Sequence, residues 1–336
     1  MQDNKSKRLI WADALRGLLI ISVVLGHSLQ YGDYNNRLSW NIIYSFHMAA
    51  FFVVSGYVSY KENYNLSSLK HKAVQLLLPF ASWTILYTLI WSGDIHYLLD
   101  VILRPDNSYW FIYVLFVIIS IFTFIYSKSL SSKFKIGGKV FDKKDLYLAI
   151  MIFVLIGLMV ISEFRLFGFQ FISYYFGFYI FGFWIRKYEV RMSALWTIVI
   201  GLCWFAMSLF WRMHSTPSFL QGITFIPDAL LNYSYRYLTA LTGSLFFLGL
   251  AMQCFNNSKS RIIQVLSFLG KISLGIYITH LFFGIPITSY YRNLLLSDTS
   301  IAFVLLDSIT RIIVSIIIVY IIQHIPVVRL LLLGKK

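Results

Sequence analysis

Apolar runs close to 20 residues long recur from one end of the 336-residue chain to the other. An α-helix needs a run of about this length to cross the hydrocarbon core of a bilayer. Only 13% of the residues are charged, whereas a soluble domain carries about 25%. The pattern therefore predicts an all-α fold, a polytopic bundle of membrane helices. We expect a single domain over residues 1–336, because no internal repeat and no soluble segment interrupts the runs.

Hydropathy predicts ten membrane spans. The segment 214–235, which contains Pro217, Pro227 and Asp228, is long for a connection and is predicted to be an outer loop. The spans are expected at residues 9–30, 41–60, 74–92, 109–127, 145–162, 169–186, 194–213, 236–255, 266–286 and 300–324.

The net charge of +15 is distributed unevenly between alternate connections. If the N-terminus is cytoplasmic, the inside segments hold 21 Lys and Arg residues and the outside segments hold 6. This is the bias of the positive-inside rule, so both termini are predicted to be cytoplasmic. Orientation also accounts for the positive charge without nucleic acid, which we do not expect as a partner.

The first predicted span carries Asp13, Arg16 and His27, and such groups are costly at membrane depth. Arg16 and His27 are eleven positions apart, so they share one helix face and are separated by roughly 16 Å along the axis. Asp13 precedes Arg16 by three positions, which suits an ion pair. Because imidazole suits general base chemistry near neutral pH, we predict that these three residues form a catalytic face.

Two further histidines are expected at the depth of His27, in the outer halves of their spans. His47 begins the second span and His280 lies late in the ninth. Three imidazoles thus converge on the outer leaflet from three helices. An interhelical hydrogen bond explains His47 or His280 as well as a substrate contact does. Tyr277 belongs to the same stretch as His280 and is a further candidate for substrate contact.

Lysines gather on the predicted cytoplasmic side. Lys70 and Lys72 precede the third span and suit a phosphate as point charges. Snorkelling of their ammonium groups to the interface explains them equally well. The run 128–144 holds six lysines and suits phosphates or anionic lipid, although orientation alone accounts for it more simply. No Walker-type motif is present, so nucleotide hydrolysis is not expected.

Four other polar or aromatic residues lie within or beside the spans. Ser55 suits an interhelical hydrogen bond, and no Gly-x-Ser-x-Gly elbow marks it as a nucleophile. Trp110 is expected at an outer interface, where an aromatic belt is the default. Both residues are also candidates for binding the substrate or acyl-CoA. Asp307 and Arg311 are four positions apart and are predicted to form an ion pair that locks helix packing, with a substrate contact as the alternative. No metal motif is visible.

Several of these stretches occur together in one known family. Asp13–Gly17 followed by Gly26–Ser28 matches an Arg-x10-His motif, and Tyr44–Gly56 matches a second-helix signature. Tyr109–Phe111 and Gly270–His280 also fit. The chain resembles acyltransferase family 3, integral membrane proteins that include polysaccharide O-acetyltransferases and a fucose 4-O-acetylase-like group. The resemblance covers essentially the whole chain.

The resemblance implies a ten-helix membrane O-acyltransferase in the cytoplasmic membrane of a bacterium. Acetyl-CoA or another acyl-CoA would be the donor on the cytoplasmic side, and no metal would be needed. The acceptor would be a sugar hydroxyl of a cell-surface or exported glycan, including a lipid-linked sugar. Within the family the Arg and His of the first motif are required for activity, which transfers to Arg16 and His27.

The sequence departs from the family pattern at two places. The basic pair before the third span, usually arginine-rich and associated with the donor, is Lys70 and Lys72, and Gln75 stands at a position that is commonly arginine. Ala49 stands where a proline usually follows Met48. These departures weaken the donor-site assignment on the third span and alter the expected helix geometry of the second.

The residues and the resemblance agree on a mechanism. Arg16, Lys70 and Lys72 would hold the phosphates of acyl-CoA inside, while its pantetheine arm spans the roughly 16 Å to His27. His27 would act as a base or would carry the acyl group, and the sequence does not choose between them. The rival hypothesis is a transporter or flippase of a lipid-linked glycan with the Asp, Arg and His residues as a proton relay. Matching broken helices in two halves, typical of transporters, are not visible.

Overall fold

The structure is a computed structural model that describes residues 9–32, 34, 37–61, 63–105, 109–128, 133–136, 139–162, 164–295 and 300–335. Within these residues the chain forms fifteen α-helices and one antiparallel hairpin of strands β1 (Lys133–Ile136) and β2 (Lys139–Asp142). The helices are α1 (Ile10–Tyr31), α2 (Leu38–Tyr44), α3 (His47–Ser59), α4 (Ser68–Tyr87), α5 (His96–Leu103), α6 (Trp110–Ser127), α7 (Lys143–Ile161), α8 (Phe169–Lys187), α9 (Ala194–Phe210), α10 (Asp228–Cys254), α11 (Arg261–Lys271), α12 (Ser273–Phe282), α13 (Gly284–Leu295), α14 (Ile301–His324) and α15 (Pro326–Leu333).

The predicted bundle of membrane helices is confirmed. In the part of the chain that the structure describes, eight helices are long and apolar enough to cross a membrane, with Leu38–Ser59 counted as one span. A bent pair, α11 with α12, raises the number to nine. Each of the ten predicted spans falls on a helix. Nine of them correspond to the eight long helices and the bent pair, and the tenth corresponds to α9, which is apolar but only 17 residues long.

Two details of the predicted spans differ in the structure, one helix start and one bend. Residues 214–235 were expected to be loop, but α10 begins at Asp228. Pro227 directly before the helix and the carboxylate of Asp228 in its first turn both favour a helix start there. The ninth span was expected to be continuous, but the chain bends by 69° between α11 and α12. Ile272, with φ −109° and ψ 10°, lies outside the helical conformation and produces the bend.

The chain divides into two compact units. The first is Met1–Val54 with Val190–Ile316, and the second is Ser55–Glu189 with Ile317–Lys336. In the first unit α1 packs against α2, α10, α11 and α12, and α9 packs against α2 and α10. In the second unit α4 packs against α6 and α15, while α8 packs against α6 and α7.

Aromatic rings form much of the interior of each unit. In the first unit Phe46 stacks on Phe247 with ring centroids 4.1 Å apart, beside Trp204. In the second unit Phe122 contacts Phe183 with centroids 4.7 Å apart. Large rings bury 150–250 Å² each, so these contacts hold the helices together at positions where aliphatic side chains would leave gaps.

Candidate active site

The predicted pair of Asp13 and Arg16 forms on α1, with Arg16 Nη1 3.6 Å from Asp13 Oδ1. The carboxylate is buried, with 4% of its side chain exposed, whereas 27% of the Arg16 side chain is exposed. Glycines bring α1 and α11 into backbone contact here. A Cβ at Gly270 would overlap the Asp13 carbonyl, and one at Gly17 would overlap the Leu266 carbonyl. The ion pair therefore lies beside a close approach of α1 and α11.

His27, near the other end of α1, contacts His280 of α12 with ring centroids 5.3 Å apart. His280 is fully buried. Its Nδ1 lies 2.8 Å from the Ile276 carbonyl. Because a carbonyl only accepts, Nδ1 carries a proton and Nε2 of the neutral ring is left as an acceptor. Among the described residues this buried Nε2 has no hydrogen-bond partner.

His47 is the first residue of α3 and is buried. Its Nδ1 donates to the carbonyl of Ile43 over 2.7 Å. Tyr44 meets the His47 ring edge-on, with centroids 5.0 Å apart. Of the three histidines expected together, the structure brings His27 and His280 into contact, and the convergence of His47 on them stays a prediction.

The predicted ion pair of Asp307 and Arg311 also forms. Arg311 Nε donates to Asp307 Oδ2 over 2.6 Å, and both side chains are fully buried. Asp307 accepts two further hydrogen bonds, from Ser28 Oγ at 2.6 Å and from Thr288 Oγ1 at 2.8 Å. The carboxylate thus joins α14 to α1 and α13, and its buried charge has the partners that it needs.

The guanidinium of Arg311 reaches the histidine pair from the other side. Its Nη1 donates to the carbonyl of His280 and its Nη2 to that of Gly284, each over 3.1 Å. Nη2 also donates to Thr288. A Cβ at Gly284 would overlap the guanidinium, so only glycine leaves room for it. Ser28 directly follows His27 in α1. One buried ion pair therefore bonds both the side chain of the residue after His27 and the backbone of His280.

Sequence reasoning assigned this ion pair a packing role and did not include Ser28, Thr288 or Gly284. Their participation depends on how four helices meet, and no spacing along the chain indicates it. The arrangement gives two touching imidazoles, one with an unused acceptor nitrogen, inside a rigid polar frame. Such a pair can accept and pass on a proton.

The other candidate residues divide between the two units. Tyr277 is buried in the first unit, with its ring 6.0 Å from that of His280. The second unit holds Ser55, Lys70, Lys72 and Trp110. Lys70 is exposed on α4, and Lys72 donates to the Gln75 side chain over 3.2 Å.

Ser55 and Trp110 have contrasting surroundings. Ser55 is half-buried and is followed by Gly56, where a Cβ would overlap the Tyr179 carbonyl of α8. Trp110 stacks on Phe171 with ring centroids 4.5 Å apart, so its ring packs against α8. Within the described residues, no group of three or more His, Cys, Asp or Glu side chains is arranged to hold a metal ion.

Comparison with known proteins gives the family. Residues 9–322 match the model of the acyltransferase 3 family, described as an acyltransferase domain. Nodulation protein NolL of Mesorhizobium japonicum is 33% identical over 124 residues, which is 31% of this chain and 32% of that protein. The NolL protein of Sinorhizobium fredii is 34% identical over 124 residues, 32% of this chain and 34% of its own.

These alignments cover about one third of each curated relative. No solved structure matches the chain. The family match, in contrast, extends through both units and nearly from end to end. It includes the Arg16–His27 stretch and the His280 stretch that suggested the resemblance. This multi-helix membrane protein belongs to acyltransferase family 3.

Proposed function

We propose that the protein transfers an acyl group, most simply acetyl, from acyl-CoA on the cytoplasmic side to a sugar hydroxyl. The acceptor is a cell-surface or exported glycan, free or lipid-linked, and the membrane is the cytoplasmic membrane of a bacterium. The observation that carries the proposal is the contact of the half-buried His27 with the buried His280. His27 lies on the same helix as Arg16, eleven residues beyond it. The family supports the transferase over the flippase.

Arg16 is proposed to bind the donor. Its guanidinium offers a planar fork of donors to phosphate oxygens, and Asp13 holds that fork from one side at 3.6 Å. Because 27% of the Arg16 side chain is exposed, a ligand can reach it. Lys70 and Lys72 are proposed as further phosphate contacts, and Ser55 and Trp110 as further substrate contacts.

His27 is proposed to act on the acceptor. As base, it takes the proton of the sugar hydroxyl while that oxygen attacks the thioester carbonyl. The tetrahedral intermediate then loses the thiolate of CoA, which takes the proton back from His27. His280 offers its free Nε2 lone pair beside His27, so it can receive an N–H and leave the other His27 nitrogen as the base. His47 and Tyr277 are proposed to orient the acceptor.

His27 has an alternative role as acyl carrier. In that case its nitrogen attacks the thioester, the thiolate leaves, and the sugar hydroxyl later attacks the acyl-imidazole. A single turnover with acetyl-labelled acetyl-CoA in the absence of acceptor separates the two roles. Label that stays on the protein and is lost in His27→Ala indicates a carrier, and its absence indicates a base.

The donor assignment is tested by binding of acetyl-CoA to purified protein in nanodiscs. Arg16→Ala is expected to weaken binding about tenfold or more, because a hydrogen bond to a charged group contributes about 1.5–3 kcal/mol. Arg16→Lys should retain part of the affinity. If Arg16→Ala binds the donor normally, and Asp13→Ala and Arg16→Ala destabilise the protein equally, the pair is structural.

The sidedness is tested by labelling single cysteines in a protein whose Cys203 and Cys254 are replaced by serine. A cysteine at Lys135 is expected to react from the cytoplasmic side, and reaction only from outside would overturn the topology. The acceptor is found by mass analysis of surface glycans from cells with and without the protein, and a missing acyl mass on one sugar identifies it.

A further inference from the structure

Asp145, in the first turn of α7, is the centre of a polar cluster in the second unit. Its buried carboxylate accepts hydrogen bonds from Tyr126, Lys187 and Tyr188, and from Trp184 Nε1 over 2.9 Å. Burial raises the pKa of Tyr188, and its hydrogen bond to Asp145 raises that pKa further. The hydroxyl is therefore a proton donor at neutral pH, and the Lys187 ammonium is held in place on several sides.

A cavity of about 380 Å³ lies beside this cluster and is lined by four lysines. They lie just after α3, just after α6, in the first turn of α7 and at the end of α8. Asp142 is a carboxylate in the same lining, and Asp145 lies behind Lys187. Counting both carboxylates, the cavity keeps a net charge of about +2. The lysines are Lys61, Lys128, Lys144 and Lys187.

Interfacial snorkelling does not account for Lys144 and Lys187, the two lysines of the cavity that are not exposed. A snorkelling lysine extends its ammonium group into water. Lys187 instead keeps only 18% of its side chain exposed. Lys144 is half-buried and donates to the Tyr126 carbonyl over 2.9 Å. In the part of the chain that is described, no carboxylate forms an ion pair with Lys144. A half-buried ammonium without an anion is costly, and a ligand anion would remove that cost.

We propose that this lysine cavity binds a phosphate group. A phosphate monoester carries about −1.5 to −2 charge near neutral pH, which balances the excess of the cavity. The volume lies within the range of small-molecule sites, about 300–1,000 Å³. Two sources supply a phosphate group: the 3′-phosphate of CoA, which is a monoester, and the headgroup of an anionic phospholipid, which is a singly charged phosphodiester. The rings of Tyr60, Tyr64 and Tyr126 in the lining favour a nucleotide. That source rests on the proposed function.

The test measures binding of CoA and of 3′-dephospho-CoA to the full-length protein in phosphatidylcholine nanodiscs. Lys144→Gln is expected to weaken CoA binding about tenfold or more, through the loss of a charge-assisted hydrogen bond. Dephospho-CoA should bind wild type and Lys144→Gln equally. Lys143→Gln is the matched control, because Lys143 is the exposed neighbour of Lys144 and does not line the cavity.

A second arm distinguishes the lipid source by thermal unfolding in nanodiscs with and without phosphatidylglycerol. If CoA binding is unchanged but phosphatidylglycerol stabilises wild type and not Lys144→Gln, the phosphate belongs to lipid. If wild type binds no CoA, the proposed donor fails while this arm still tests the cavity. Should Lys144→Gln misfold, Lys128→Gln on the exposed rim replaces it. The proposal is overturned if neither ligand distinguishes the lysine variants from Lys143→Gln.

Discussion

Two buried carboxylates, Asp307 in the first unit and Asp145 in the second, each accept several hydrogen bonds. The Asp307 network is closed to solvent, whereas the Asp145 network borders an open cavity. Asp307 and Arg311 both have fully buried side chains. Asp145 and Lys187 keep 7% and 18% of their side chains exposed. In the first network one anion meets one cation. In the second, cations outnumber carboxylates around an open cavity.

This difference in exposure and charge balance suits the Asp307 network to a structural role and the Asp145 network to ligand binding. Four of the five Arg311 N–H donors are directed to Asp307, Thr288 and two carbonyls. Because the side chains of Arg311 and Asp307 are also fully buried, this network holds the residues around the histidine pair in place. The lysines around Asp145 line an open cavity, which we propose as the site of an exchangeable anion. Charge balance, more than burial alone, thus indicates which polar cluster is structural and which can bind.

Removal of the carboxylate from the closed network is expected to have the largest effect on stability. Asp307→Ala leaves the Arg311 charge buried and unpaired, which costs about 3–5 kcal/mol in the free energy of unfolding. Denaturation in detergent micelles measures it. Asp307→Ala with Arg311→Met should cost less than Asp307→Ala alone, because the buried charge is gone as well. A loss below about 1 kcal/mol in the single variant would contradict a closed network.

The matching change in the open network is expected to cost less. Asp145→Ala leaves donors that are partly accessible to water, so we expect about 1–3 kcal/mol in the same unfolding measurement. Lys187 can turn outward because part of it is already exposed. If Asp145→Ala destabilises the protein as much as Asp307→Ala, the two networks do not differ in closure.

The salt dependence of the unfolding free energy is expected to give the smallest difference between the two networks. Raising the ionic strength from about 0.15 M to 1 M shortens the Debye length from about 8 Å to 3 Å. The cost of Asp145→Ala should then fall by about 0.5 kcal/mol, because its ion pair reaches solvent. The cost of Asp307→Ala should stay constant. Equal salt dependence of the two unfolding free energies would remove the distinction.

Helical periodicity was enough to predict the parts of the site that lie on one helix. The Asp13–Arg16 pair, the placement of Arg16 and His27 on α1, and the Asp307–Arg311 pair each depend on spacings of three, four or eleven residues. The recurring apolar runs likewise predicted the helical bundle. These features are local, so they follow from the chain alone.

Features that join several helices could not be read from the chain. The four partners of Asp145 come from two helices and the turn after α8. Asp145 was not among the candidate residues from the sequence, in which it begins the predicted span 145–162. The bend at Ile272 carries neither a proline nor a glycine at that position. Such features are decided by packing between helices, on which apolar periodicity in a membrane protein gives little information.

The central claim is that His27 performs the transfer within the frame set by Asp307 and Arg311. The direct measurement is the rate of acyl transfer by His27→Ala, together with its acyl-CoA affinity and thermal stability. Loss of a positioned base should lower the rate about 10²- to 10⁴-fold, while affinity and stability persist. His324→Ala is the control, since His324 also bonds the carbonyl four residues earlier but is exposed at the end of α14. His47→Ala and His280→Ala should be milder. Near-normal transfer by His27→Gln, with His47→Ala or His280→Ala inactive, would contradict the account.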